Sequence, residues 1–158
     1  MPDTKAAVFA ASFAALYAAH EFADHWVQSD RQAGAKGDRT PDGRRACVGH
    51  VATLTATKAL ALLATTRAAG LRLSPGRTVA AIALDAVTHY WIDRRFTLRG
   101  LAKALNPING EGGFYDAGDG KAAPCGTGAY ALDQAAHIAM LWAAALIIAG
   151  GTEAGDRS

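Results

Sequence analysis

The sequence predicts an all-α protein built as a four-helix, up-and-down antiparallel bundle that spans a membrane. Hydrophobic residues make up 51% of the chain and charged residues 19%, and alanine dominates the apolar set, which favours helices. Apolar segments occupy residues 5–28, 46–69, 75–93 and 128–149, and each is long enough to cross a bilayer. The 158 residues are predicted to form one helical membrane domain, 1–158.

A soluble four-helix bundle with alanine-rich core helices is the competing interpretation. Ionisable side chains interrupt all four segments, and uncharged runs such as 6–19 are short for a span. A soluble bundle helix keeps a full polar face, however, whereas the second and fourth segments are apolar round most of the helix. Membrane insertion is therefore preferred, with the lipid bilayer as a partner.

The first segment does not resemble a removable signal peptide, because it ends in HEFAD instead of a small-residue cleavage site. Residues 29–45 are polar and basic, with several glycines and a proline, and are predicted to form a loop. Residues 70–75 form a short turn, in which Ser74 is the N-cap and Pro75 the first residue of the third helix.

After the third segment, residues 96–105 are predicted to form a short amphipathic helix on the membrane surface. Its apolar residues are Phe96, Leu98, Leu101 and Leu105, and its polar residues include Arg99 and Lys103. Residues 106–127 are rich in glycine and are predicted to be a long mobile loop, and the tail 151–158 is predicted to be flexible.

Basic residues are concentrated in the first and third connections, so the positive-inside rule places both connections in the cytoplasm. The formal net charge of +2 is too small to indicate nucleic-acid binding. The basic run at 31–45 is interpreted as a solvated loop, and no nucleotide-binding motif is present. The two cysteines have no zinc-ribbon spacing.

Histidines and carboxylates recur at a spacing of four residues within the apolar segments. Residues four apart share one face of a helix. Four of the five histidines fall one to a segment, His25 lying off the stripe of the first segment. Three of these four have such acidic partners: His20 with Asp24, His50 alone, His89 with Asp85 and Asp93, and His137 with Asp133. These groups lie near the C-terminal ends of the first and third segments and near the N-terminal ends of the second and fourth. An antiparallel bundle therefore brings them together at the cytoplasmic side.

Imidazoles and carboxylates projecting from facing helices are typical of metal sites in bundles, and they suit zinc, iron or manganese. A divalent cation would also compensate charges that are costly at membrane depth. The predicted ligands are the groups His20, Asp24, His50, Asp85, His89, Asp133 and His137. With one coordination position open, the site would hydrolyse a substrate, with Asp93 or Asp24 as the general base.

Three further polar residues are predicted to support the ligands or to face the substrate: Gln28, Lys58 and Gln134. Lys58 lies on the same helix face as His50. It would neutralise a buried carboxylate, contact an anionic group of a substrate, or extend toward the membrane interface.

Two other interpretations of the histidines stay open. The His–Asp pairs would fix helix packing in a non-enzymatic membrane scaffold or interaction protein, or two histidines would ligate a haem. Haem needs only two histidines and would not require an acidic partner beside nearly every one.

The motifs HxxxDxxxQ at 20–28, HxxxD at 89–93 and DQxxH at 133–137 resemble those of a bacterial family of small multi-helix membrane proteins of unknown function. The resemblance covers most of the chain and implies a multi-pass protein of the cytoplasmic membrane, with the same residues important. It supplies no reaction. By looser analogy the chain is similar to inner-membrane metal-dependent hydrolases, which also place His and Asp on membrane helices.

Overall fold

The computed structural model describes residues 5–118 and 126–151. Within these ranges the chain forms seven α-helices and no strand, which confirms the all-α prediction. The helices are α1 Lys5–Phe22, α2 Asp30–Ala35, α3 Pro41–Ala68, α4 Pro75–Asp93, α5 Phe96–Asn109, α6 Glu111–Tyr115 and α7 Gly128–Ala149. The predicted flexible tail lies outside the described residues, apart from Gly151.

The four long helices pack around one another. Helix α1 contacts α3 and α7, and α4 contacts α7 and α3. Apolar side chains from α1 before its histidine and from the second half of α7, including Val8, Leu16, Leu141 and Ile148, form a core with Leu62 of α3. The histidines therefore lie toward the opposite end of the same helices.

Helix α1 does not continue to Gln28 as predicted. The α-helical pattern ends at Phe22, and a π-helical turn, Ala23–Val27, follows it. In this turn the Gln28 N–H donates to the Ala23 carbonyl at 2.9 Å. Since a π-turn holds more residues per turn than an α-helix, it changes the direction of the side chains that follow. Asp24 lies inside this turn, and Gln28 has left the helix.

The predicted loop at 29–45 is wrong in part, because it contains α2 and the first turn of α3. Ser29 and Gln32 form a capping box that starts α2. Thr40 caps α3, where its Oγ1 accepts a hydrogen bond from Gly43 N at 3.0 Å, and Pro41 occupies the first turn. The starts of α2 and α3 therefore both carry recognisable capping residues in the sequence. The nearby glycines and the proline led instead to the prediction of a loop.

Helix α4 has its predicted bounds and its predicted Ser74–Pro75 start, although the Ser74 side chain makes no capping hydrogen bond. The amphipathic helix at 96–105 is present as α5 and extends to Asn109, where Gly110 ends it in a left-handed conformation (φ 77°). Helix α6 lies inside the predicted loop 106–127. The rest of that loop, 119–125, is outside the described residues.

Three helical stretches are long and apolar enough to cross a membrane: Lys5–Val27, Pro41–Ala68 and Gly128–Ala149. Helix α4 is not among them. Large apolar side chains are exposed on the outer faces of the long helices, such as Leu60 (68%), Val79 (69%) and Trp142 (52%). Exposed apolar surface of this kind marks contact with lipid or another protein, so the structure supports a multi-pass membrane protein.

Candidate metal centre

The predicted histidines His20, His50, His89 and His137 come from four different helices and meet in one buried cluster. Each side chain is at most 2% exposed. The His89 ring centroid lies 4.0 Å from that of His137, 5.2 Å from that of His50 and 5.4 Å from that of His20. Such close ring packing leaves no space for a porphyrin between His89 and any of the other three histidines.

Two carboxylates, Asp24 and Asp93, reach the ring nitrogens of this cluster. His50 Nε2 lies 3.0 Å from Asp24 Oδ1 and 3.3 Å from Asp93 Oδ2. His89 Nε2 lies 3.2 Å from both Asp93 Oδ2 and His50 Nε2. His20 Nε2 is 3.7 Å from Asp24 Oδ2. The helices thus direct nitrogen and oxygen atoms at a common centre.

Asp133 belongs to the edge of the cluster. Its Oδ2 lies 3.7 Å from His137 Nε2, and its side chain is 24% exposed. Gln134 Nε2 donates to Asp133 Oδ2 at 3.4 Å. Gln28 Nε2 donates to the backbone carbonyl of Asp24 at 2.8 Å and thereby supports the π-turn. Each glutamine thus donates a hydrogen bond to an aspartate of the cluster, Gln28 to a backbone carbonyl and Gln134 to a side chain.

The potential ligand atoms form three overlapping groups, each within 4.8 Å. One group is Asp24, His50 and His89, another is Asp93, Asp133 and His137, and a third is His20, His89 and His137. The first two groups share no residue. The cluster therefore offers enough ligands for two ions.

Asp85 is not brought into any of these groups. Both of its carboxylate oxygens accept hydrogen bonds from Lys58 Nζ, at 3.0 and 2.8 Å. Lys58 and Asp85 are both buried. Of the roles that the sequence left open for Lys58, the structure shows the neutralisation of a buried carboxylate.

Two buried cations at the cluster were not identified from the sequence. Lys36, in the predicted loop, is 8% exposed, and its Nζ lies 2.9 Å from Asp93 Oδ1. Arg94 is buried and donates to the backbone carbonyls of Lys36, at 3.0 Å, and of Asp38. Arg94 follows Asp93 directly, so it ties the α2–α3 connection to the end of α4. No spacing pattern links Lys36 to Asp93, which explains why sequence reasoning missed it.

A cavity of about 820 Å³ opens beside the cluster. Asp24, Asp93 and Asp133 line it on the cluster side, together with Lys36. The remaining polar lining comes largely from the connections and short helices: His25, Gln28, Arg95, Arg99, Tyr115, Asp116, Thr127, Tyr130 and Gln134. Partial burial raises the pKa of the Tyr115 phenol above its ordinary value, which keeps this hydroxyl protonated as a hydrogen-bond donor.

The donor atoms fit a divalent cation. Several buried nitrogens of the cluster have no hydrogen-bond partner in the described part of the chain, among them His137 Nε2 and both ring nitrogens of His20. Unsatisfied buried polar atoms are costly and rare. Two nitrogens bound at about 2.0–2.1 Å to one tetrahedral zinc lie roughly 3.3 Å apart, close to the His50–His89 separation of 3.2 Å.

Comparison with known proteins assigns the chain to a family. Residues 12–154 match the family described as protein of unknown function (DUF3307), so the chain belongs to DUF3307. This confirms the resemblance inferred from the motifs, and it brings no reaction with it. No curated protein and no solved structure matches the chain.

Proposed function

We propose that this protein is a membrane-embedded, metal-dependent hydrolase. The observation that carries the proposal is the meeting of His50 Nε2, His89 Nε2, Asp24 Oδ1 and Asp93 Oδ2 around one point, at separations of 3.0–3.3 Å for the closest pairs. Imidazole and carboxylate ligands together suit zinc, iron or manganese.

The ligands divide between two positions. Asp24, His50 and His89 would hold one ion, and Asp93 and His137 would hold a second, with Asp133 at the edge of this second position. His20 lies within reach of His89 and His137 and completes either set. Asp93 faces both positions, because its Oδ2 lies beside His50 and His89 while its Oδ1 lies 3.7 Å from His137 Nε2. Asp85 is left out, since Lys58 occupies both of its oxygens.

A bound divalent cation would polarise the substrate and lower the pKa of a water molecule toward neutrality. The chain supplies the proton acceptor. Asp24 and Asp93, the bases predicted from the sequence, both line the cavity, but their close contacts with histidines suit ligands better. Asp133 is the more exposed carboxylate of its group and also lines the cavity, so it is the better placed acceptor of a proton from water.

Hydrolysis then proceeds in the cavity. The oxygen of the attacking water forms the new bond to the substrate, one water proton passes to the Asp133 carboxylate, and the bond to the leaving group breaks. The leaving group takes a proton in turn, which restores Asp133. Lys36 holds Asp93 in place through its 2.9 Å ion pair, and Gln134 does the same for Asp133.

The membrane setting completes the proposal. Helices α1, α3, α4 and α7 form an up-and-down antiparallel bundle, with the metal centre at its cytoplasmic end and α5 on the membrane surface. Exposed Leu101, Leu105 and Ile108 along α5 support this position. The basic connections around α2 and α5 support the cytoplasmic orientation.

A non-enzymatic membrane scaffold is the second candidate. Lys58–Asp85 and Lys36–Asp93 favour it, because they show that this protein satisfies buried carboxylates with its own cations. In that case the His–Asp contacts would fix helix packing and hold no metal.

Elemental analysis of detergent-purified protein separates the two candidates. We expect stoichiometric zinc, iron or manganese in the wild type, and its loss in His89→Ala with the helical circular-dichroism signal retained. His25→Ala is the matched control, because the exposed His25 ring bonds to Glu21, one turn earlier, and belongs to none of the three ligand groups. The metal content of this variant should equal that of the wild type. Folded wild type that takes up none of the three metals would overturn the metal site. Loss of fold in His89→Ala from such metal-free protein would favour the scaffold.

The hydrolase activity requires its own assay. Metal-loaded protein is offered chromogenic carboxylic esters, amides and phosphoesters. We expect turnover of one class that chelation abolishes and metal restores. Turnover that is unchanged by chelation, or no turnover of any class, would contradict the hydrolase.

A further inference from the structure

The cavity beside the cluster combines acidic and basic groups in an ordered way. Its carboxylates Asp24, Asp93 and Asp133 lie on the histidine side. Arg95 and Arg99 line it from the start of α5. With Asp116, the lining carries four carboxylates against three cations. One divalent ion at the cluster therefore makes the net charge of the lining positive, and a second ion makes that charge more positive.

Arg95 is held in position at a conformational cost. Its φ of 52° is the one positive value at a non-glycine residue among residues 5–118 and 126–151, and such strain persists only where surrounding contacts impose it. Arg95 Nη2 donates to the Ala33 carbonyl at 2.9 Å, and the Tyr115 hydroxyl donates to the Arg95 carbonyl at 3.4 Å. A Cβ at residue 37 would lie 2.7 Å from Arg95 Cδ, so Gly37 leaves the space for this side chain.

Arg99 keeps donors free for a ligand. Its Nε and Nη2 donate to Asp116 Oδ1 at 3.1 and 2.8 Å. A guanidinium has five N–H donors in a planar fork, so the Asp116 pair orients Arg99 and leaves further donors. Arginine forks of this kind match the oxygens of phosphate.

We infer that the cavity binds the phosphate group of a phosphoester, with Arg95 and Arg99 on its oxygens and the metal cluster on the opposite side. This inference rests on the proposed hydrolase and names its substrate class. In the reaction, the water oxygen bonds to phosphorus and the phosphorus–oxygen bond to the alcohol breaks. The alcohol leaves with a proton, so the products are a phosphate and an alcohol.

Calorimetric titration of inorganic phosphate into the full-length, metal-loaded protein in detergent tests the inference. We expect saturable binding by the wild type and about a tenfold rise in Kd for Arg99→Gln, the usual effect of losing one charged hydrogen bond. Arg95→Gln should behave alike. Arg45→Gln is the control, because Arg45 forms a comparable exposed pair with Asp42 at 3.1 Å outside the cavity lining, and its Kd should match the wild type.

Competition then distinguishes the two sources of a phosphoester. Glycerol 3-phosphate and phosphatidic acid in mixed micelles are each titrated against bound inorganic phosphate. If glycerol 3-phosphate displaces inorganic phosphate at the lower concentration, the substrate is soluble. If phosphatidic acid does so, the substrate is a lipid headgroup.

Metal-loaded protein that binds no phosphate, or whose Arg99→Gln variant binds it as tightly as the Arg45→Gln control, would overturn the inference. These outcomes leave the proposed hydrolase intact with another substrate class. Failure of the hydrolase is seen separately, as absence of metal in the folded wild type. Arg99 is exposed, so we expect Arg99→Gln to fold. This variant therefore tests the inference even if Arg95→Gln does not fold.

Discussion

The carboxylate of Asp93 meets side chains from four directions. His89 comes from its own helix, His50 from α3, His137 from α7, and Lys36 from the end of α2. The spacing of four residues predicted only the first of these contacts. Convergence of the other two histidines followed from the antiparallel arrangement, whereas Lys36 depended on how a connection folds back. The four-residue spacing therefore predicted which histidines and aspartates cluster. Which side chains contact each other within the cluster depended on how the helices and connections pack.

Asp85 illustrates the same limit. Its position on the His89 face predicted a metal ligand, yet Lys58 takes both oxygens in a buried pair. The two residues are 27 positions apart, so no helix spacing connects them.

The Lys58–Asp85 pair gives a prediction for stability. Lys58→Met leaves a buried carboxylate without its cation and should lower the free energy of unfolding by about 3–5 kcal/mol. Lys58→Met/Asp85→Leu removes both charges and should recover most of that loss. Unfolding in detergent, followed by circular dichroism, measures both. A single variant that costs less than about 1 kcal/mol, or a double variant no better than the single, would show that the pair is not desolvated as described.

Among the elements, α2 and the first turn of α3 were missed by the sequence prediction, whereas α1, α4, α5 and α7 begin where predicted. Ser29–Gln32 and Thr40–Pro41 both carry capping signatures, but glycines and basic residues around them indicated a loop. The π-turn at Ala23–Val27 has no comparable signature. It positions Asp24 against His50 of the neighbouring helix, and such turns are frequent at functional sites.

The cap of α3 can be tested directly. Thr40→Ala removes the acceptor for Gly43 N and should cost about 0.5–2 kcal/mol of stability. Thr57→Ala is the matched control within the same helix, because the Thr57 hydroxyl only donates to the Thr53 carbonyl, at 2.9 Å. Thermal unfolding in detergent should show a lower Tm for the first variant alone. Equal Tm values for the two variants would argue against the cap.

At the scale of the whole molecule, the outer surface matters as much as the core. Apolar side chains on the long helices remain exposed, including Leu60, Val79 and Val87, and three helical stretches meet the length and hydropathy of membrane spans. The soluble bundle considered from the sequence would leave this surface in water. A bilayer removes that difficulty and still permits polar groups to gather at one end, where the cavity opens.

Orientation in the membrane stays a prediction, and cysteine labelling in intact bacterial cells tests it. Cys47 and Cys125 are first replaced by alanine. A single cysteine at Arg72, between α3 and α4, should then react with a membrane-impermeant maleimide, while one at Arg31, in α2, should react only after the cells are opened. Both positions are exposed. The reverse pattern would place the His–Asp cluster outside the cytoplasm.

The sequence alone determined the helical class, the approximate extent of the four long helices and the histidines and aspartates that cluster. These features follow from local periodicity and from the polarity that each helix face carries. Only the tertiary structure decided that Lys58 neutralises Asp85, that Lys36 and Arg94 close one side of the cluster, and that Arg95 and Arg99 share a cavity with Asp24, Asp93 and Asp133. Such contacts join residues distant in the chain, and their geometry is set by packing between helices and connections that no spacing encodes.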